Sequence, residues 1–195
     1  TIHTTATNKA DEGKELHANQ TVTIQDKVEY KDLIVGKEYT VKGKLMDKET
    51  NKPLLVNDKE VTAETKFKAE TKDGSIVLDF TFDAKGLEGK DVVVFEEMYK
   101  DELLIAVHTD IEDEGQTVTF VKPDVKTTAT NKEDGMKEIH SNKTVTIQDK
   151  VKYNNLIIGK EYTVKGKLMD KETNKPFLVD GKEVTSETKF TAEKK

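Results

Sequence analysis

From Ile2 to Val121 the chain alternates apolar and polar residues with period two, in short runs broken by turn signals. The runs are Ile2/Thr4/Ala6, Val22/Ile24/Asp26/Val28/Tyr30, Tyr39/Val41/Leu45, Ile76/Leu78/Phe80/Phe82, Val92/Val94/Glu96/Met98, Leu104/Ala106/His108 and Gln116/Val118/Phe120. Each puts its members on one face of an extended strand. Turn residues punctuate them: NKP at Asn51, ND at Asn57, DG at Asp73 and GLEG at Gly86. No segment keeps a helical period. One apolar face and one wet face is the mark of antiparallel sheets sharing a core. The pattern therefore predicts an all-β chain built from immunoglobulin-like antiparallel β-sandwich domains, of roughly seven to nine strands each.

The pattern then repeats. TTATNK stands at Thr4–Lys9 and at Thr127–Lys132, TVTIQDKV at Thr21–Val28 and Thr144–Val151, and GKEYTVKGKLMDKETNKP at Gly36–Pro53 and Gly159–Pro176. The offset is 123 throughout, and 53 of the 71 positions from Ile2 to Lys72 recur between Val125 and Lys195. So long a period means tandem domains, not a solenoid of small units. We expect a complete domain at residues 1–122 and a second copy at 123–195, joined near Lys122–Asp124 where Pro123 favours an extended link. The second copy stops at the equivalent of Lys72. It lacks counterparts of the strands near Ile76–Phe82, Val92–Tyr99, Leu103–Thr109 and Gln116–Val121, and half a sandwich buries little surface.

Parity also puts polar side chains where apolar ones belong. Thr4, Asp26, Glu96, His108 and Gln116 all fall on predicted inner faces of the first domain. Singly, each has a plain explanation. An inward Thr is a common strand former, a bulge would return Asp26 to water, and His108 and Gln116 sit at strand ends where rim exposure is the rule. Glu96 is ambiguous, because Val93, Phe95 and Tyr99 form an equally apolar face. As a set they are harder to dismiss, since a buried carboxylate without a partner is costly. The types also belong together. A hydroxyl is a nucleophile once a base takes its proton, and a carboxamide is an acyl donor once its oxygen is stabilised. Histidine carries protons and carboxylates orient it. Threonine and glutamine with histidine and acids are the equipment for acyl transfer from amide to hydroxyl, leaving an ester and ammonia.

Composition narrows the setting. Charged residues make up 36% of the chain and hydrophobic ones 34%, which suits thin-cored β-domains with large solvated faces. The net charge is −6 with lysines scattered, so nothing points to nucleic acid. No apolar run reaches bilayer-spanning length, and no signal-peptide pattern opens the sequence, which reads as a mature or excised fragment. With no cysteine, disulfides and thiolate metal sites are excluded.

At these residues the sequence resembles the Thr–Gln ester-bond domains, or VaFE repeats, of Gram-positive surface adhesins. The resemblance rests on IHTTAT, TIQDKV, GKEYTVKGKLMDKETNKPLL, VVVFEE and HTDIEDEGQTV. It covers residues 1–121 and continues through the shortened copy. It implies that Thr4 is the nucleophile, with Thr5 and Thr7 lower-ranked alternatives, and that Gln116 is the acyl half of the cross-link. Glu96 and His108 would move the proton. Asp26 would be a buried, protonated carboxyl near the amide, and Asp113 a weaker candidate in the preceding loop. In the second copy Thr127 and Asp149 are present without Glu, His or Gln equivalents, so that copy alone is expected not to close its bond. Thr127 also lies only eleven positions after Gln116, which leaves a Gln116–Thr127 link as an alternative to Gln116–Thr4.

The resemblance further implies a stalk segment of a cell-wall-anchored adhesin, outside the cell of a Gram-positive bacterium. Its partners would be neighbouring repeats, with a host ligand bound by another domain. It implies no cofactor, no metal, no membrane insertion, and one self-directed turnover in place of enzymatic catalysis. The alternatives are a ligand-binding adhesin module, for which no exposed aromatic platform is visible, and a calcium-stabilised sandwich using DIEDEG at Asp110–Gly115. That run lacks the spacing of a calcium-binding helix–loop–helix. A hydrolase reading has no evident substrate cleft behind it.

Overall fold

The computed structural model describes residues 1–194, and the chain divides into two compact units, Thr1–Lys122 and Pro123–Lys195. The first unit contains β1 (Ile2–Asn8), β2 (Glu15–Leu16), β3 (Thr21–Tyr30), β4 (Glu38–Asp47), β5 (Lys52–Pro53), β6 (Leu55–Val56), β7 (Lys59–Glu60) and β8 (Thr62–Lys68). It continues with β9 (Gly74–Asp83), β10 (Asp91–Lys100), β11 (Leu103–His108) and β12 (Thr117–Phe120). One sheet has the order β1-β3-β9. The other runs β2-β12-β10-β4-β5, with β11 also on β10 and β8 also on β4. All pairings are antiparallel except β2 with β12, which is parallel. This is an immunoglobulin-like sandwich with a β architecture throughout. The two-residue strands escape sequence reading because two positions cannot express a period.

The core lies between the sheets and contains the positions that the alternation assigns to it. Ala6, Ile24, Val28, Leu78 and Phe80 from one sheet meet Val41, Leu45, Val92, Val94, Met98, Val118 and Phe120 from the other. Gly43 marks a close approach of the two sheets. A Cβ there would stand 2.6 Å from Phe80 Cζ and 2.9 Å from Leu78 Cδ1, so only glycine lets Phe80 lie over β4.

Leu104 departs from its expected inward place. The register of β10 against β11 shifts between Met98 and Tyr99, and Leu104 is 46% exposed. The irregularity inserts one residue and turns the start of β11 outward. Past it, Met98 faces Ala106 and Glu96 faces His108, so the end of the strand regains the expected face.

The second unit pairs β13 (Asp124–Asn131) with β14 (Ile147–Asn154). It also contains β15 (Glu161–Lys167), β16 (Met169–Asp170), β17 (Lys175–Pro176), β18 (Leu178–Val179), β19 (Lys182–Glu183) and β20 (Thr185–Thr191), with β15 on β20. Its local registers copy the first unit: Thr127 opposes Val151 and Ala129 opposes Asp149, as Thr4 opposes Val28 and Ala6 opposes Asp26. Its faces are open. Ile147 is 40% exposed where Ile24 is fully buried, and a Cβ on Gly166, the counterpart of Gly43, meets nothing within 4 Å. The strands that cover these positions in the first unit, β9 to β12, have no counterpart among residues 123–194. Among the described residues no helix is long and apolar enough to cross a membrane.

Candidate functional site

Four of the polar residues singled out by parity, Thr4, Asp26, Glu96 and Gln116, are fully buried. Thr4 points inward from β1, and Asp26 does so from its partner β3. Glu96 comes from the middle of β10, where its cross-strand neighbours are Gly43 and His108. His108 ends β11. Thr5 and Thr7 lie on the opposite face of β1, with Thr5 exposed, as alternation requires.

Gln116 corrects the expectation that it opens a strand. It closes a single 3₁₀ turn, Glu114–Gln116, that delivers the chain into β12. Asp113 builds this turn. Its Oδ1 accepts from the Gly115 amide at 2.7 Å, its carbonyl accepts from the Gln116 amide at 3.1 Å, and the Thr117 hydroxyl donates to the same carbonyl at 2.8 Å. Extended backbone would alternate Gln116 with its neighbours; the turn instead drops its side chain into the core and keeps Thr117 buried as well.

Around Gln116 the groups close into one hydrogen-bonded cluster. Thr4 Oγ1 lies 3.2 Å from Glu96 Oε2 and 3.3 Å from His108 Nδ1. Gln116 Nε2 donates to Glu96 Oε1 at 3.1 Å. His108 Nε2 lies 2.7 Å from Asp113 Oδ2, so a weaker candidate from sequence is the carboxylate that lies against the imidazole. The Gln116 carbonyl oxygen is buried without a hydrogen-bond partner, and the Asp26 carboxyl lies buried beside that of Glu96. His108 and Asp113 keep 15% and 24% side-chain exposure, which makes them the cluster's edge toward solvent.

Burial governs the electrostatics. It pushes the Glu96 carboxyl up to about 10, with the negative charge of Asp26 adding to the effect. It pushes Asp26 up to about 6, against the pull of Glu96, His108 and Lys14. Two carboxyls in one dry site cannot both be charged cheaply. At neutral pH the pair shares one proton, so the proton expected on Asp26 is held jointly with Glu96.

Lys14, immediately before β2, was not singled out from sequence. Its Nζ donates to the carbonyls of Ala6 at 2.5 Å and Gly115 at 2.6 Å. Its one signal is recurrence as Lys137, which is invisible among 32 basic residues.

In the second unit Thr127 and Asp149 are exposed, and residues 123–194 contain no counterparts of Glu96, His108 or Gln116. The acidic run spends its carboxylates locally: Asp110 on the Glu112 amide, Glu112 and Glu114 on Lys48. Among the described residues no group of three or more His, Cys, Asp or Glu could hold a metal ion.

This arrangement can transfer an acyl group. A hydroxyl touches a base backed by a carboxylate, and an amide is held beside it by a neutral acid. The family model described as "T-Q ester bond containing domain" matches residues 1–120 and again 123–195. Two crystal forms of a bacterial adhesin from Mobiluncus mulieris, containing intramolecular disulfide, isopeptide and ester bond cross-links, are similar in fold. The P1 form gives a TM-score of 0.53 at 14% identity, covering 98% of this chain and 93% of that one. The P21 form gives 0.54 at 14% identity, covering 89% and 90%. No curated protein matches the sequence.

Proposed function

The chain belongs to the family of T-Q ester bond containing domains, and from that premise we propose that its first unit closes an ester between Thr4 Oγ1 and the side-chain carbonyl carbon of Gln116. His108 Nδ1 takes the Thr4 proton, with Asp113 on Nε2 holding the ring in the accepting tautomer. Oγ1 attacks the Gln116 carbon and charge develops on its oxygen. That oxygen has no other partner, and the proton shared by Glu96 and Asp26 is the acid available to neutralise it. Gln116 Nε2 takes a proton and leaves as ammonia. Hydroxyl plus primary amide becomes ester plus ammonia, with no outside reactant.

The observation that carries this reading is the enclosure of Thr4, Glu96 and Gln116 in one buried hydrogen-bonded group, with His108 on the remaining side of the hydroxyl. Enclosure also serves the product, since an ester survives where water is kept out. Thr4 is favoured over Thr127 because Thr4 is buried against Glu96 and His108, whereas Thr127 is exposed.

The bond would tie the first strand to the last and bridge the two sheets, so tension along the chain would bypass the ladder hydrogen bonds. The role we infer is structural: a stalk segment of an adhesin on the surface of a Gram-positive bacterium, in series with neighbouring repeats, its only chemistry one self-directed turnover. The ends of the sandwich, covalently joined, suit load bearing better than catalysis on a diffusing substrate.

Intact mass spectrometry of the purified chain tests the chemistry. The measured mass is expected to fall below the sequence mass by one ammonia, and Thr4→Ala and Gln116→Ala are each expected to restore it. An unmodified wild-type mass would rule the ester out. Peptide mapping that joined Gln116 to Thr127 would keep the chemistry and refute the placement.

A further inference from the structure

We propose that Lys14 is a positioning residue for this acyl transfer, a preformed receptor on β1 that captures the Gln116-bearing turn and sets where the amide meets Thr4. The inference rests on the ester reading above and adds a residue outside the reacting group.

The geometry is specific at both ends. The Lys14 ammonium donates to the Ala6 carbonyl, two residues beyond the nucleophile on β1, and to the Gly115 carbonyl. That second carbonyl belongs to the Gly115–Gln116 peptide plane, the one from which the acyl donor's side chain departs. One cation therefore grips the backbone of both reacting partners. The grip has a fixed base, because the Lys14 carbonyl accepts from the Thr119 amide of β12 at 2.8 Å and the Gly13 carbonyl accepts from the Asn8 amide at 2.8 Å.

The second unit contains the first-strand half of this grip by itself. Lys137, the counterpart of Lys14, donates to the Ala129 carbonyl at 2.6 Å, and the Asn131 amide donates to the Met136 carbonyl at 2.8 Å. The lysine thus takes its seat on the first strand where no turn is present to be gripped. In the first unit the same seated ammonium has an additional donor for Gly115.

The cation also sits in the field of the site's acids. Asp113, Asp26 and Glu114 all favour its charged form, while burial opposes it and holds the ammonium below the usual lysine range. A charged lysine against two carbonyl dipoles is a stronger clamp than a neutral donor. Displacement of a reacting group by about 1 Å can cost on the order of a hundredfold in rate, which is the scale of error such a clamp prevents.

The test follows cross-linking in the full chain from a short pulse of cell-free synthesis, reading the fraction lighter by one ammonia over time. Lys14→Met keeps the stem and removes the donors; it is expected to slow bond formation by tenfold or more, and Lys14→Arg to restore most of the rate. A second arm compares Gln116→Ala with Lys14→Met/Gln116→Ala, where no bond can form, by thermal unfolding. The pair are expected to unfold at nearly the same temperature. Wild-type kinetics in Lys14→Met would overturn the inference, as would failure of arginine to rescue. Unfolding of the double variant would assign Lys14 to stability instead. Absence of ammonia loss in the wild type would sink the ester reading itself, which separates the two failures.

Discussion

Thr4 Oγ1 lies 3.3 Å from His108 Nδ1 across 104 positions of sequence, and the far nitrogen of the same ring lies 2.7 Å from Asp113. Hydroxyl, imidazole and carboxylate therefore stand in line on one side of the buried amide, while Glu96 bridges hydroxyl and amide on the other. The line runs from the dry core to the solvent edge, so a proton taken from Thr4 has a path outward.

Asp113→Asn should separate orientation from structure. The asparagine carbonyl can still cap Gly115, so the turn persists. Its amide group would face His108 Nε2 and make that nitrogen the acceptor, leaving Nδ1 protonated and unable to receive the Thr4 proton. Bond formation is expected to slow by roughly two to four orders of magnitude, with the circular dichroism of the fold unchanged. Cross-linking at the wild-type rate would mean that His108 is not the base.

Glu96 makes folding depend on pH in an unusual direction. Its carboxyl is raised from 4.5 to about 10 in the fold, so over that window the folded state holds a proton that the unfolded state has released. Stability is then fully present below about pH 4.5 and is lost as pH rises toward 10. In Thr4→Ala, which cannot form the bond, the unfolding midpoint is expected to fall from pH 5 to pH 9. Glu96→Gln in the same background should flatten that slope. A Thr4→Ala midpoint that rose across the window would contradict a protonated Glu96.

The proposed cross-link is expected to dominate the stability of the first unit. Closing a loop of about 100 residues is worth roughly 4–5 kcal/mol by the chain-entropy estimate. For a domain of this size that converts to about 10–20 °C in unfolding midpoint. Gln116→Ala is expected to melt lower by this amount and to become sensitive to protease at temperatures where the wild type resists. Equal melting of the two proteins would leave the bond without a stabilising role.

Gly43 and Gly166 provide a matched pair. They occupy equivalent positions, yet a Cβ on the first collides with Phe80 and Leu78 while one on the second meets open space. Gly43→Ala should cost roughly 1–3 kcal/mol by overpacking, and Gly166→Ala little or nothing. Differential unfolding of the two variants in the Thr4→Ala background would measure it; equal effects would mean that the two sheets do not close over Gly43.

Much of this was legible along the chain. Period-two alternation located the long strands, and the polar residues that broke it, Thr4, Asp26, Glu96, His108 and Gln116, are the ones that the fold gathers at a single place. Alternation reports which face a side chain takes, and a conflict between face and polarity is visible without coordinates. Leu104 was misjudged because a register shift leaves no mark in the pattern. Asp113 was underrated because a loop has no period from which to infer direction.

The sequence by itself determined the β architecture, the 123-residue repeat and the set of polar side chains on inward faces, since these follow from local periodicity and identity. The tertiary structure alone decided who touches whom. Pairing of β10 with both β4 and β11 set Glu96 between Gly43 and His108, and one 3₁₀ turn aimed Gln116 inward. Two chain segments separated by about a hundred residues then met over Lys14. Such contacts depend on how strands from opposite ends of the domain pack, and no window of sequence contains both partners.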